Sequence, residues 1–271
     1  MKPFIESTER IFTISFTFIH YSFRQISTHI ILLFFIILIL LTPEFALFTF
    51  GENIRLILET TYSTILIGGV IQSVLSCSSS IQEEVENKVL LTLISKPLNR
   101  FEFIVGKYIG GLAISLYTIV ILGIVFVIMV DFREISNQYG ENIILSADLA
   151  YGFLLIFMQI AILLSISFLA IPYFKTPVSI CFSLGMLFLC NANGFLLEAL
   201  TKSDSSLNYL FVIIFYLIPD FTIYNLGEII ARNTTVDGLL HYIIFASLYT
   251  ALYTTVILSI SNLMFRRKEI V

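Results

Sequence analysis

The chain has 271 residues, of which 58% are hydrophobic and only 13% are charged, and its formal net charge is −4. A soluble domain is nearer to half apolar and a quarter charged, so this composition excludes an ordinary soluble globular protein. The three cysteines, Cys77, Cys181 and Cys190, have neither the number nor the spacing of a disulfide framework or a zinc site.

Charged residues leave six long windows free of Asp, Glu, Lys and Arg. A helix rises about 1.5 Å per residue, so roughly 20 residues cross a hydrocarbon core of about 30 Å. Backbone amides in lipid must pair within the segment, and strands of membrane barrels are shorter and alternate in polarity. The windows are 25–43, 60–82, 108–130, 149–174, 176–197 and 238–265. We therefore expect an all-α integral membrane protein, a single domain over 1–271, with spans near 27–48, 58–80, 105–130, 149–172, 177–198 and 239–264.

The segment before the first span is itself predicted to be helical. Thr13, Thr17, His20 and Arg24 recur at helical spacing, and aliphatic and aromatic residues cover the rest of the surface. A narrow polar face beside a wide apolar one is typical of a helix that lies in the membrane interface. We expect such an interfacial helix over 3–25; the alternative is a first span that begins earlier.

The second span is unusually polar for a membrane helix. Small and hydroxyl-bearing residues permit close helix packing, but they also line polar pathways, and the sequence leaves both interpretations open. These residues are Thr60, Thr61, Ser63, Thr64, Gly68, Gly69, Gln72, Ser73 and Ser76.

Basic residues predict the orientation of the spans, because cytoplasmic loops are enriched in Lys and Arg. With six spans, both termini and the second and fourth loops share one side. That side carries 11 of the 15 basic residues, and only Arg55, Arg133, Lys202 and Arg232 lie on the other. We therefore expect both termini to be cytoplasmic in the inner or plasma membrane.

A seventh apolar window, 205–219, is too short for an untilted span. It ends at Pro219-Asp220, and a crossing there would place the basic stretch 266–268 outside. We expect a re-entrant or surface-lying outer segment before the sixth span.

The largest predicted cytoplasmic connection, 83–111, reads EEVENKVLLTLISKPLNRFEFIVGKYIGG. It is typical of a short amphipathic helix, a break at Pro97, and a second helix that enters the third span. Gly106 and Gly110 give that span a small-xxx-small packing face at its start. The alternative is an ordinary solvated loop.

This connection resembles the one between spans two and three in ABC type-2 permeases, in particular the subgroup similar to the copper-processing permease of nitrous-oxide reductase maturation. The family motif has acidic residues, then Thr-x-x-Leu-Ile/Leu-Ser-x-Pro, a basic residue, and Gly-Lys at the next span. In this chain the corresponding residues are Glu83, Glu84, Glu86, Thr92, Leu93, Ile94, Ser95, Pro97, Arg100, Gly106 and Lys107, with Thr92 and Leu93 adjacent rather than separated by two residues. The segment before the first span also resembles the family's interfacial elbow helix. The Pro219-Asp220-Phe221 stretch resembles its outer loop before the sixth span, and the basic C-terminus resembles the segment that follows that span. One departure is Asn87-Lys88-Val89, where the family often has a glycine.

The resemblance implies a division of labour between subunits. Two permease subunits would pair in the lipid, and separate ATPase subunits would bind ATP and dock beneath them. The 83–100 segment would act as a coupling helix. The residues implied in coupling are Glu83, Glu84, Glu86, Leu93, Ile94, Ser95, Pro97 and Arg100. We expect no cofactor, metal site or nucleic-acid partner for this chain.

Other functions would require other features. The chain has no G-x-x-x-x-G-K-[ST] phosphate loop and no H-E-x-x-H motif. An intramembrane enzyme is disfavoured because no buried ionisable residues are expected, and Gln72, Gln159, Asn191 and Asn193 at depth are expected to bond between helices. The alternative that stays open is a membrane anchor in an ATPase-driven maturation or motility complex that moves no substrate.

Overall fold

The computed structural model describes residues 2–46, 53–86, 100–132, 147–201, 217–224 and 236–267. Within these ranges the chain has seven α-helices, one 3₁₀ turn and no strand. The helices are α1 (Lys2–Arg24), α2 (Ile26–Ala46), α3 (Asn53–Glu86), α4 (Arg100–Phe132), α5 (Ala147–Ala170), α6 (Thr176–Thr201) and α7 (Val236–Arg267), and the 3₁₀ turn is Thr222–Tyr224.

Helices α2 to α7 are each long and apolar enough to cross a membrane. The prediction of an all-helical protein with six helices long and apolar enough to span a membrane is therefore confirmed. The spans are Ile26–Glu44, Leu56–Glu84, Phe101–Asp131, Ala150–Ala170, Thr176–Glu198 and His241–Met264. Consecutive helices from α2 to α7 run antiparallel, and we call the end of the bundle that carries α1 the inner end, because the basic residues predict that it faces the cytoplasm.

Helices α3 and α5 form the centre of the bundle. The α5 span is 78% buried and the α3 span 67% buried, whereas the α2, α6 and α7 spans are only 22–28% buried. Gly69 of α3 brings the two central helices together, since a Cβ added there would meet the side chain of Ile160. The peripheral helices expose large apolar side chains such as Phe34, Phe188 and Leu252, which suits contact with lipid.

Helix α1 packs along the first turns of α4, on the small-residue face that the sequence predicted. A Cβ added to Gly106 would lie 2.8 Å from Ile14 Cγ2, and one added to Gly110 would collide with the Phe18 ring. The Ser15 hydroxyl donates to the Gly106 carbonyl at 2.8 Å. The absence of side chains at both glycines therefore allows the two backbones to approach closely.

The opposite face of α1 is exposed. It carries Phe12 and Phe16, 73% and 63% exposed, beside the predicted polar stripe with His20 and Arg24. The exposed face of α1 is thus a mixture of aromatic and polar side chains, and the apolar side chain that is fully buried, Phe18, faces α4.

Residues 217–224 are hydrogen-bonded to both α6 and α7. The Phe221 N–H donates to the Cys190 carbonyl at 3.3 Å, and the Asn193 amide donates to the Ile218 carbonyl at 3.1 Å. The Tyr253 hydroxyl of α7 donates to the Leu217 carbonyl at 3.1 Å. Most of the predicted outer segment 205–219 lies outside the described residues.

Candidate functional site

Four of the eight predicted coupling residues lie at the inner end of two neighbouring helices. Glu83, Glu84 and Glu86 belong to the last turn of α3, and Arg100 begins α4. The other four coupling residues, Leu93, Ile94, Ser95 and Pro97, lie outside the described residues. The structure therefore places the two helical ends of the connection but not its middle.

A buried ion pair joins these two helices. Lys107 Nζ of α4 lies 2.6 Å from Glu84 Oε1 of α3, and the Lys107 side chain is 4% exposed against 26% for Glu84. The same ammonium group donates to Ser80 Oγ at 2.6 Å. Ser80 and Glu84 are four residues apart, so one face of α3 presents both acceptors to a single lysine.

Aromatic rings complete the surroundings of the lysine. Its ammonium lies 5.1 Å from the centroid of the Phe18 ring on α1 and 5.6 Å from that of Phe103 on α4. A cation over a ring face at this distance is attracted by the negative π surface. Lys107 therefore binds α1, α3 and α4 to one another at a single point.

Helix α1 makes further polar contacts with the same helical ends. The Gln25 amide, just after α1, donates to Ser79 Oγ at 3.2 Å, and Ser7 Oγ donates to the buried Glu102 carboxylate at 2.7 Å. Burial, together with its hydrogen bond to the Glu83 carboxylate, raises the pKa of Tyr21 to about 12. The Tyr21 phenol therefore stays protonated at neutral pH and donates to Glu83.

The short connection between α5 and α6 is attached to α3 as well. The Gln82 amide nitrogen donates to the Phe174 carbonyl and to Ser78 Oγ, both at 2.9 Å. In return the Thr176 hydroxyl donates to Gln82 Oε1 at 2.9 Å. Three of the four hydrogen-bonding positions of this amide are thus occupied, which fixes the last turn of α3 against the start of α6.

We call this set of residues the α3 junction: Ser78, Ser79, Ser80, Gln82, Glu83 and Glu84 on α3, with Tyr21, Gln25, Lys107, Phe174 and Thr176 bonded to them. Among the described residues no group of three His, Cys, Asp or Glu side chains could hold a metal ion. The junction joins the inner end of α3 to α1, α4 and the α5–α6 connection through side-chain hydrogen bonds and one ion pair.

The junction corrects one expectation from the sequence. The charge-free windows indicated no buried ionisable residues, yet Lys107 and Glu102 are 3% and 4% exposed. Both lie at the start of α4, beside the window rather than inside it. The four-residue spacing of Ser80 and Glu84 places both on one face of α3, but nothing in the sequence identified Lys107 as their partner.

Comparisons with known proteins identified no related family or sequence. A search against models of protein families found no match, and a search of curated proteins found no similar sequence.

Proposed function

We propose that the chain is the transmembrane permease subunit of an ATP-binding-cassette exporter, and that a separate cytoplasmic subunit hydrolyses ATP. The α3 junction carries the proposal. The connection 87–99 leaves α3 from this junction and returns to α4 seven residues before Lys107. A force applied to the connection would reach several helices of the bundle at once.

The proposed mechanism follows from the contacts that hold the inner ends of α3 and α4 together. Two helices joined by a buried ion pair and a shared aromatic contact move together, because separating them would leave a charge unpaired in a low-dielectric site. An ATPase that pulled on 87–99 would therefore displace the inner ends of α3 and α4 as one unit. Helix α1 would follow through Phe18, Tyr21 and Gln25. The bundle would then exchange between inward-closed and outward-open arrangements.

The proposal includes the finer parts of the fold. Helix α1 would lie in the membrane interface as an elbow, with Phe12 and Phe16 in lipid. The stretch 217–224 would belong to a re-entrant outer segment, since Phe221 bonds to Cys190 well inside the α6 span. A second permease subunit would complete the pathway, with both termini in the cytoplasm.

The decisive experiment replaces Leu93 and Ile94 together by Asp. If these residues anchor the connection in a groove of the ATPase, two buried and unpaired charges should expel it. The variant should still insert into the membrane, because no span is changed, but mild-detergent purification should no longer recover an ATPase. ATP-dependent efflux should be lost as well.

The matched control changes Asn87 and Asn99 to Asp. This pair adds the same charge to the same connection and avoids its apolar residues, so association should persist. Wild-type association and turnover in the Leu93/Ile94 variant would refute the docking role. Recovery of an ATPase with the wild-type chain, but no substrate movement in reconstituted vesicles, would indicate the non-transporting anchor instead.

A further inference from the structure

Helices α2 and α3 bury polar atoms that have no hydrogen-bond partner among the described residues. Both amide atoms of Gln72 belong to this group, as do the hydroxyls of Ser76 and Thr28. All three residues are 0% exposed. Gln72 lies near the middle of the Leu56–Glu84 span, where the hydrocarbon core offers no alternative partner.

Several other buried hydroxyls in the same bundle are satisfied by their own helix, although those of Ser22 on α1 and Thr61 on α3 are not. Ser73 donates to the Gly69 carbonyl at 2.7 Å, and Thr118 donates to the Ile114 carbonyl at 2.9 Å. Such back-bonding is the usual solution for Ser and Thr in a membrane helix. Among the described residues, Gln72 is the side chain with both of its polar atoms buried and unpartnered, which distinguishes this part of α3 from the back-bonded hydroxyls around it.

The register of the two helices places these residues at similar depths and on the faces where α2 and α3 contact each other. Phe35 of α2 lies against Gly68 of α3, where an added Cβ would be 3.0 Å from the ring. Nearer the inner end, Gln25 bonds to Ser79. Because the helices are antiparallel, these two pairs place Thr28 level with Ser76, and Thr28 shares a helical face with Phe35, two turns away.

Together these residues form a polar strip that begins at the inner end and stops at mid-membrane. We call Gln25, Thr28, Gln72, Ser76 and Ser79 the polar seam. From Ser79 to Gln72 it extends roughly 10 Å along α3. One turn beyond Gln72, the ring of Phe35 on Gly68 closes it with an apolar contact.

We propose that the polar seam is a hydration site, at which α2 and α3 separate by a small distance and admit water from the inner end as far as Gln72. Water is the ligand that this chemistry selects, because the seam offers neutral donors and acceptors and no charge that would hold an ion. Buried and unpartnered polar atoms raise the free energy of the closed interface. Hydration removes that penalty, so opening is favoured at the seam, and the contact of the Phe35 ring with Gly68 opposes it at mid-membrane. The inference does not depend on the identity of any ATPase or substrate.

Cysteine accessibility tests the proposal on the purified full-length chain in detergent. The native cysteines are first replaced, Cys77 and Cys190 by Ala and Cys181 by Ser, and Ser76→Cys is introduced. A small, water-soluble methanethiosulfonate reagent reacts only with a thiolate, which requires water around the sulfur. The matched control is Val74→Cys, which is equally buried on another face of α3. We expect Ser76→Cys to react at least about tenfold faster than Val74→Cys, the effect of a single unit of thiol pKa.

A second substitution links the reaction to the seam. Gln72→Met keeps the length of the side chain and removes the unpartnered amide, so it should stabilise the closed interface and slow the labelling of Ser76→Cys towards the control rate. Thr28→Val tests the same point in case Gln72→Met does not accumulate. Labelling of Ser76→Cys no faster than that of Val74→Cys would overturn the proposal, and so would a rate unaffected by either apolar substitution.

Discussion

Replacing Glu84 by Gln leaves Lys107 buried without its counter-charge, and the structure gives the size of the effect. Removing one partner of a buried ion pair costs about 3–5 kcal/mol. The Glu84 side chain is 26% exposed, so water compensates part of that loss, and Ser80 and the Phe18 ring still stabilise the ammonium group. We therefore expect Glu84→Gln to destabilise the protein by about 2–3 kcal/mol.

Thermal unfolding in detergent measures this loss. A change of 1 kcal/mol lowers the melting temperature of a chain of about 150–250 residues by about 2–4 °C, so the expected fall is roughly 5–10 °C. The chain has no Trp, so a fluorescent fusion protein followed by size-exclusion chromatography is the suitable assay. Glu83→Gln is the control, because Glu83 is exposed and its loss should matter less.

A double substitution separates the contribution of the ion pair to stability from the contributions of the two residues alone. Lys107→Met removes the buried charge and leaves a partly solvated Glu84, so its cost should be smaller than that of Glu84→Gln. Combining the two should then restore part of the stability that Glu84→Gln alone loses. If Glu84→Gln melts with the wild type, or if the double variant is no more stable than Glu84→Gln, the pair does not hold α3 and α4 together.

Three further predictions concern packing, pH dependence and orientation. Gly110→Ala should destabilise the protein by about 1–3 kcal/mol through overpacking, whereas Gly185→Ala, with open space around it, should change the melting temperature little. Tyr21 has its pKa raised to about 12, so its contribution to stability is constant below pH 10 and is lost as the pH rises towards 12; Tyr21→Phe should weaken this alkaline loss in pH-dependent melting curves. Reporter fusions at residue 271 and within 131–147 should report opposite sides of the membrane, and agreement between them would contradict the six-span topology.

The helices could be predicted from the sequence because the hydrocarbon core excludes charge over a length that is easy to count. Their ends could not. Helix α3 continues to Glu86 although Glu83 and Glu84 end the charge-free window, since carboxylates interrupt a hydrocarbon span but not helical hydrogen bonding. Gly106 and Gly110 were recognisable as a packing face from their spacing, but their partner proved to be α1, which the sequence indicated only as an interfacial helix.

The contacts of the α3 junction could not be predicted from the sequence. Its contacts join segments that are far apart in the chain, such as Lys107 with Glu84 and Gln82 with Phe174. Each of these residues alone has an ordinary interpretation as a surface charge or a helix-terminal polar group. Only the antiparallel packing of α3 against α4 and α6 brings them within hydrogen-bonding distance.

The two sides of α3 differ in the contacts that would resist a movement of this helix. Towards α4 it is joined by a buried ion pair, whose rupture would leave Lys107 unpaired. Towards α2 it presents Gln72 and Ser76, whose polar atoms have no partner among the described residues and gain hydrogen bonds when water enters. A force on 87–99 would accordingly meet its greatest resistance between α3 and α4 and its least along the polar seam. We therefore expect α3 and α4 to move as one unit, with α2 as the neighbour from which they separate.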